Sequence, residues 1–221
     1  MITRVPEPEI MDDPEEAMAY DAMDHTDVNH RFVNDALASG EPRGPVLDLG
    51  AGNGLIALAL TFRLPNRLVV AADASAPMLA LAQAHLQKAG LVGRVRCDLV
   101  RAQALWYLDG SFPLVVSNSL VHHLADPFPA LAEAWRVTAP GGKLFFRDLA
   151  RPSNESVLTG LVEQYAAGAP DRARALFAAS LRAAFTVEEI AAMVMPLGCP
   201  ASSVSLTSDR HWTWSATKPS A

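Results

Sequence analysis

Three glycines at alternate positions, Gly50, Gly52 and Gly54, follow directly on the apolar run Val46-Leu47-Asp48-Leu49. A helical pattern starts at once behind them. A strand that turns this sharply into a helix needs residues that tolerate unusual backbone angles and let a ligand touch the main chain. One strand–helix unit later a second apolar run, Val69-Val70-Ala71-Ala72, ends in a lone carboxylate, Asp73. An acid at that place can accept hydrogen bonds from both hydroxyls of a ribose. Together the two runs describe a pocket for a nucleoside-containing cofactor. A dinucleotide-binding turn reads Gly-x-Gly-x-x-Gly, its third glycine allowing close helix packing. Leu55 stands where that third glycine would be, so the chain departs from the dinucleotide pattern.

These residues need a parallel sheet to hold them. Apolar runs alternate with helical patterns along the chain, which is the signature of an α/β fold. The patterns predict strands near 45–49, 67–72, 93–98, 113–117, 143–148, 201–206 and 211–217. Helices are expected near 13–36 (broken), 53–62, 76–89, 127–137, 155–167, 171–182 and 186–195. Ser75 precedes Pro77 and an alanine-leucine helix that stops at Gly90. Thr186 with Glu189 three residues on reads as a capping box. Ala139-Pro140-Gly141-Gly142 is expected to end a helix and turn into Lys143-Leu144-Phe145-Phe146. The last two strands, joined by Thr207-Ser208-Asp209-Arg210, read as an antiparallel hairpin rather than another parallel unit. The fold class is therefore a doubly wound, seven-stranded, mostly parallel sheet with an antiparallel C-terminal hairpin.

Composition narrows the function. The 221 residues suffice for one domain with a sizeable core. No apolar run approaches a membrane span, so no membrane insertion is expected. The N-terminus is acidic and proline-bearing, unlike a signal or transit peptide, and a cytoplasmic protein is expected. Two cysteines, Cys97 and Cys199, read as buried thiols. The net charge of −6 is concentrated in the first 35 residues, which carry −8, while the remainder carries +2. A body without a basic stripe argues against a nucleic-acid substrate. The acidic segment is a solvated helix face or, alternatively, an attractor for a cationic substrate. No His, Cys or Asp spacing resembles a zinc or magnesium site, so no metal is expected.

From about Asp13 to its end the chain resembles the class I methyltransferases that use S-adenosylmethionine (SAM), and within them the small-molecule enzymes of the ubiquinone/menaquinone-biosynthesis type. The segments that carry the likeness are the glycine turn, Asp73-Ala74-Ser75-Ala76-Pro77-Met78-Leu79, the strand and turn Leu114 to Leu124 with its His122-His123 pair, and Gly141-Gly142-Lys143-Leu144-Phe145-Phe146-Arg147-Asp148. The resemblance implies that Asp48 sits near the methionine amino group and that Gly50, Ala51 and Gly52 line the methionine part. It implies that Asp73 holds the ribose beside Ala74, and that Met78 covers one face of the adenine. Relatives carry Gly-Asp-Ala where this chain has Val100-Arg101-Ala102; Arg101 cannot accept the adenine amino hydrogen bond, so Arg101 and Ala102 are expected only at the adenine rim. Asn118 would lie under the sulfonium and methyl, and Ser119 is a further cofactor contact.

The same resemblance makes residues 1–40 a helical lid, with Ala17-Met18-Ala19-Tyr20-Asp21 matching a family motif and Tyr20 closing over the cofactor. His25, Asn29, His30 and Arg31 share that lid. Residues 41–221 form the SAM-binding domain, with a helical insertion at about 152–184 that contributes to the acceptor site. His123, Asp148 and Tyr20 are the candidate catalytic residues; His122 is weighed beside His123, and the pair is alternatively structural. Asp148 is an acceptor contact or a strand-end ion-pair partner. Methyl transfer is an in-line displacement with a neutral thioether leaving, so the protein supplies chiefly alignment and desolvation, and a base is needed only if the acceptor must lose a proton. The expected function is methylation of a small molecule. A nicotinamide-dependent oxidoreductase and a noncatalytic SAM-fold partner subunit stay open, as does a homodimer.

Overall fold

The computed structural model describes residues 2–7, 12–22 and 26–220. Its seven strands are β1 (Val46–Leu49), β2 (Val69–Asp73), β3 (Val95–Leu99), β4 (Phe112–Asn118), β5 (Thr138–Leu149), β6 (Val204–Leu206) and β7 (His211–Thr217). They form one sheet in the order β3-β2-β1-β4-β5-β7-β6. β1 pairs in parallel with β2 and β4, and β2 with β3, while β6 and β7 are antiparallel. The expected class and the terminal hairpin are both present. The chain runs outward from β1 to β3 and then returns to the other side of β1 as β4. That reversal makes the carboxyl ends of β1 and β4 the switch point, where open α/β sheets take ligands.

The helices are α1 (Pro14–Asp21), α2 (Thr26–Ala36), α3 (Leu55–Arg63), α4 (Ala76–Lys88), α5 (Phe128–Val137), α6 (Glu155–Ala166), α7 (Asp171–Ala183) and α8 (Val187–Val194). Their ends are where the local chemistry sets them. The Ser75 hydroxyl accepts from the Met78 amide at 3.2 Å and opens α4. Thr186 and Glu189 form the reciprocal capping box that opens α8.

The chain divides into two compact units. One comprises residues 12–22, 26–118, 129–146 and 215–220; the other comprises 2–7, 119–128 and 147–214. Strands β5 and β7 contribute to both. In the first unit every residue of β1 is buried, as a strand covered on both faces must be. Its core joins Phe32 and Val33 of α2, Ile56, Ala57 and Leu60 of α3, and Leu114 and Phe145 of the sheet. Phe32 and Phe145 meet edge to face with ring centroids 5.4 Å apart. In the second unit Leu158, Leu161 and Val162 of α6 pack with Leu181 of α7 and with Leu149.

One expectation fails. The segment 139–142 does not separate α5 from a strand beginning at Lys143; β5 starts at Thr138, directly behind α5. Gly141, at φ 71°, donates its amide to the Lys218 carbonyl at 2.9 Å, and Gly142 accepts from the Lys218 amide at 2.8 Å. The turn residues are thereby drawn into pairing with the chain just beyond β7. The Lys218 ammonium reinforces this by donating to the carbonyls of Trp135, Arg136 and Thr138 at 2.7, 3.1 and 2.9 Å. These carbonyls lie in the last turn of α5 and just beyond it, where a cation is favoured.

The helix-packing glycine, missing at Leu55, is found one residue earlier. A Cβ at Gly54 would lie 2.7 Å from the Cβ of Ala82 in α4, and Gly54 holds φ 75°. Gly54→Ala should therefore cost about 2–3 kcal/mol, from overpacking and a left-handed backbone together. Ala82→Gly should relieve the steric part, so that the double variant, measured by urea denaturation, is more stable than the sum of the two single changes predicts.

Candidate functional site

At the end of β1 the chain is held open by backbone geometry. Gly50, Gly52 and Gly54 have φ of 72°, 53° and 75°, which L side chains rarely adopt. The amides of Gly50 and Ala51 both donate to the Ala72 carbonyl of β2, at 2.8 and 3.0 Å. Asp73, the last residue of β2, then fixes the loop. Its Oδ2 accepts from the Gly52 amide at 2.8 Å and its Oδ1 from the Ser75 amide at 2.8 Å. Met78, in the first turn of α4, is buried against this loop; its methyl carbon would lie 3.1 Å from a Cβ at Gly52. Ala51 is buried and Ala74 half-buried.

Asp48 lies inside β1 and is 1% exposed. Its Oδ2 is buried and has no hydrogen-bond partner among the described residues. Burial, and then the charge of Asp73, pushes its carboxyl up to about 7; the Ala57 backbone amide in the first turn of α3 works against that rise. A buried carboxylate with an orphaned oxygen is costly unless a donor or cation reaches it.

The acidic helix α1 is tied to this loop. Asp21 Oδ1 accepts from the Asn53 side-chain amide at 2.8 Å, and its Oδ2 lies 3.2 Å from His85 Nε2 of α4. The other nitrogen of His85 lies 3.2 Å from the Asn53 carbonyl. Tyr20, one residue before Asp21, is half-buried. Burial and then the nearby Asp73 carboxylate raise its phenol above the usual range. Of the remaining lid residues, Asn29 is buried, His30 and Arg31 are exposed, and His25 lies outside the described residues.

On the rim, Arg101 is exposed and Ala102 is buried, just after the Val100 amide bonds to the Asp73 carbonyl at 2.8 Å. Asn118 ends β4 half-buried, and Ser117 Oγ donates to the Leu49 carbonyl at 2.7 Å, locking β4 to the end of β1. Ser119 is the one described non-glycine residue at positive φ, 58°. Strand-end residues held in that region cost about 1–3 kcal/mol and persist where the surroundings over-determine them.

In the second unit a charged cluster forms around the histidine pair, on a short 3-10 turn, Val121–His123. Asp148, 1% exposed, contacts His122 Nδ1 at 2.5 Å and accepts from the Val121 amide at 2.5 Å and the Leu149 amide at 2.6 Å. Burial alone would lower His122, but Asp148 and Glu7 outweigh it and hold the imidazole above its usual value. Burial would raise Asp148; the His122 charge reverses this and keeps its carboxyl low. Asp148 is an ion-pair partner of His122. His123, chosen from sequence as the base, has a side chain 30% exposed; His122, weighed beside it, is the buried member. Glu7 was missed. It lies far away in sequence, and no motif marks it.

Comparison with known proteins agrees with this picture. Residues 47–146 match the family described as "Methyltransferase domain". The demethylmenaquinone methyltransferase of Thermus thermophilus is 39% identical over 122 residues, 55% of this chain and 54% of that protein. A ubiquinone/menaquinone biosynthesis C-methyltransferase of Hydrogenovibrio crunogenus is 31% identical over 139 residues, 56% of this chain and 55% of that one. The chain thus spans about half the length of the curated relatives it matches. A SAM-dependent methyltransferase structure from Aquifex aeolicus superimposes with a TM-score of 0.64 at 17% identity, over 92% of this chain and 97% of that one, a likeness of fold.

Asp48 generates a pH prediction. Its folded value, about 7, lies above its ordinary value of 3.8, so the protonated form stabilises the ligand-free fold. That contribution is fully present below the ordinary value and is lost as pH rises through the folded one. Asp48→Asn should flatten the decline in unfolding free energy between about pH 4 and pH 8. It should leave the variant a few kcal/mol more stable than the parent at the upper end, at about 1.4 kcal/mol per pKa unit. Parallel denaturation curves of the two proteins across that range would refute the buried, orphaned state of this carboxyl.

Proposed function

We propose that this chain carries a class I SAM-dependent methyltransferase domain related to the menaquinone-biosynthesis enzymes and methylates a small-molecule acceptor. The observation that carries the reading is the orphaned Asp48 oxygen beside the glycine loop. An ammonium group, bonded directly or through a water, is the donor that a buried carboxylate at this place requires. The residues present therefore fit the methionine end of SAM. Bound, SAM supplies an activated methyl on a sulfonium.

The chain's own residues do the rest. Gly50, Ala51 and Gly52 offer main-chain surface with no side chain in the way. Asp73 has both oxygens on backbone amides, yet a carboxylate has about four acceptor sites, which leaves capacity for ribose hydroxyls. Met78 offers an apolar face for a base. Arg101 and Ala102 border it, and Asn118 and Ser119 end the strand next to it in the switch-point region. Tyr20 and α1, fastened through Asp21 to Asn53 and His85, form a wall that excludes water from the loop. Within residues 1–40 this α1 segment, rather than 2–7, is the part we assign to the cofactor. Asp148 is a positioning residue, holding His122 in one orientation. The near-neutral body supports a small molecule rather than a nucleic acid as acceptor, and a cytoplasmic setting goes with that reading.

Two substitutions test it by calorimetry with SAM, using NAD as the competitor class. Gly52→Val places a branched side chain against Met78 at φ 53° and should abolish SAM binding while the protein still melts cooperatively. Asp73→Ala should weaken SAM by about 1–3 kcal/mol, the cost of unpaired hydroxyls. It should also lower the melting point, because the Gly52 and Ser75 amides lose their acceptor. A lower melting point with unchanged SAM affinity would leave Asp73 as a loop clamp alone; NAD binding in place of SAM would overturn the function.

A further inference from the structure

In the second unit the ligand atoms of one carboxylate and two imidazoles converge. Glu7 Oε1 lies 3.4 Å from His122 Nε2 and 3.3 Å from His123 Nδ1. The three donor atoms all lie within 4.8 Å of one another. We propose that Glu7, His122 and His123 form a binding site for one divalent transition-metal ion of the zinc class.

The distances are the first argument. A charge-assisted N–H···O bond closes to about 2.7–2.9 Å. Neither contact to Glu7 does so, and Glu7 Oε1 is buried without a hydrogen-bond donor among the described residues. Two ligand atoms that each sit about 2.0–2.1 Å from a tetrahedral zinc are about 3.3–3.4 Å apart. The two observed separations are longer than a closed charge-assisted pair and match two edges of such a site that meet at Glu7.

The second argument is the surrounding shell. A metal-binding histidine commonly donates its other ring nitrogen to a carboxylate, which fixes the tautomer and aims the free lone pair. Asp148 stands in that position on His122 Nδ1 at 2.5 Å, and is itself held by two backbone amides. The His122 and His123 rings lie 4.1 Å apart at 35°, and each brings one nitrogen within 3.4 Å of Glu7 Oε1.

Glu7 is also held. Ser180 Oγ donates to its other oxygen at 3.4 Å, and the Val5 amide to the Arg182 carbonyl at 3.2 Å. Arg4 donates to the carbonyls of Ala183, Leu124, His122 and Ala125 at 2.6, 2.7, 3.1 and 3.3 Å, and its guanidinium stacks 3.9 Å from the Phe185 ring. The Arg4 charge opposes a cation nearby, but the carboxylates of Glu7 and Asp148 outnumber it. Two histidines and one carboxylate make three protein ligands, the set that leaves a fourth position for water or an added donor. The partly exposed side chain of His123 puts solvent within reach of that position.

The test uses full-length, chelator-treated protein titrated with Zn²⁺ by calorimetry and with Co²⁺ by visible absorption. The expected result is one ion per chain, with tetrahedral Co²⁺ bands and no thiolate charge-transfer band. Glu7→Gln and His123→Ala should each weaken binding by about 100-fold or more, since even outer-shell losses cost 10–100-fold. Both variants keep the buried His122–Asp148 pair, and a cooperative melt of each with unchanged circular dichroism reports that the fold is intact. If one fails to fold, the other decides alone. Absence of binding, binding that neither variant weakens, or a thiolate band assigning the ion to Cys97 or Cys199 would overturn the site.

Discussion

The carboxylate of Asp73 is the joint on which the first unit depends. It takes the amide of Gly52 from one loop and the amide of Ser75 from another, each at 2.8 Å. The first bond holds the glycine turn behind β1 in its left-handed path. The second sets Ser75, whose hydroxyl then caps α4 through Met78. With α4 in place, Ala82 can meet Gly54 and Met78 can lie on Gly52. One side chain therefore sets a strand end, a loop and two helix starts. The ligand surface is a by-product of that arrangement, since main chain held in place by others has nothing of its own in front of it.

The two units treat buried carboxylates in opposite ways. Asp148 is saturated by an imidazole and two amides, and its charge is favoured. Asp48 keeps an oxygen with no partner, and its charge is disfavoured. A saturated carboxylate orients its neighbours and has little left for a ligand. An unsaturated one holds free energy that is released when a cation or donor arrives. The difference supports the proposed binding role of Asp48 and positioning role of Asp148 without reference to sequence motifs.

Much of this was legible from residue order because the signals are local. The glycine spacing, the acid closing β2, the Ser75 cap and the Thr186–Glu189 box each act within a few residues or one βα unit. Strand ends came out within a few residues wherever burial was two-sided. β5 was the exception, because its start depends on Lys218, some eighty residues away, and no local pattern encodes that pairing. The dinucleotide pattern would put a packing glycine at position 55, whereas the close contact to Ala82 falls at Gly54, which only the packed helix reveals. Glu7 was invisible for the same reason as Lys218. Its partners on the histidine turn are long-range, and a histidine pair beside an aspartate-ended strand does not announce a third ligand.

The sheet order carries a consequence for how the chain is made. β7 lies between β5 and β6, so β5 has no neighbour on that side until the final strand has left the ribosome. The parallel half, β1 to β4, can assemble earlier around its own core. In that interval β5 presents a twelve-residue open edge with Leu144, Phe145 and Phe146 in it. Such an edge is a template for another chain's strand. Closing the sheet then requires one strand to insert between two others, and until it does the open edge of β5 is the surface a chaperone would cover.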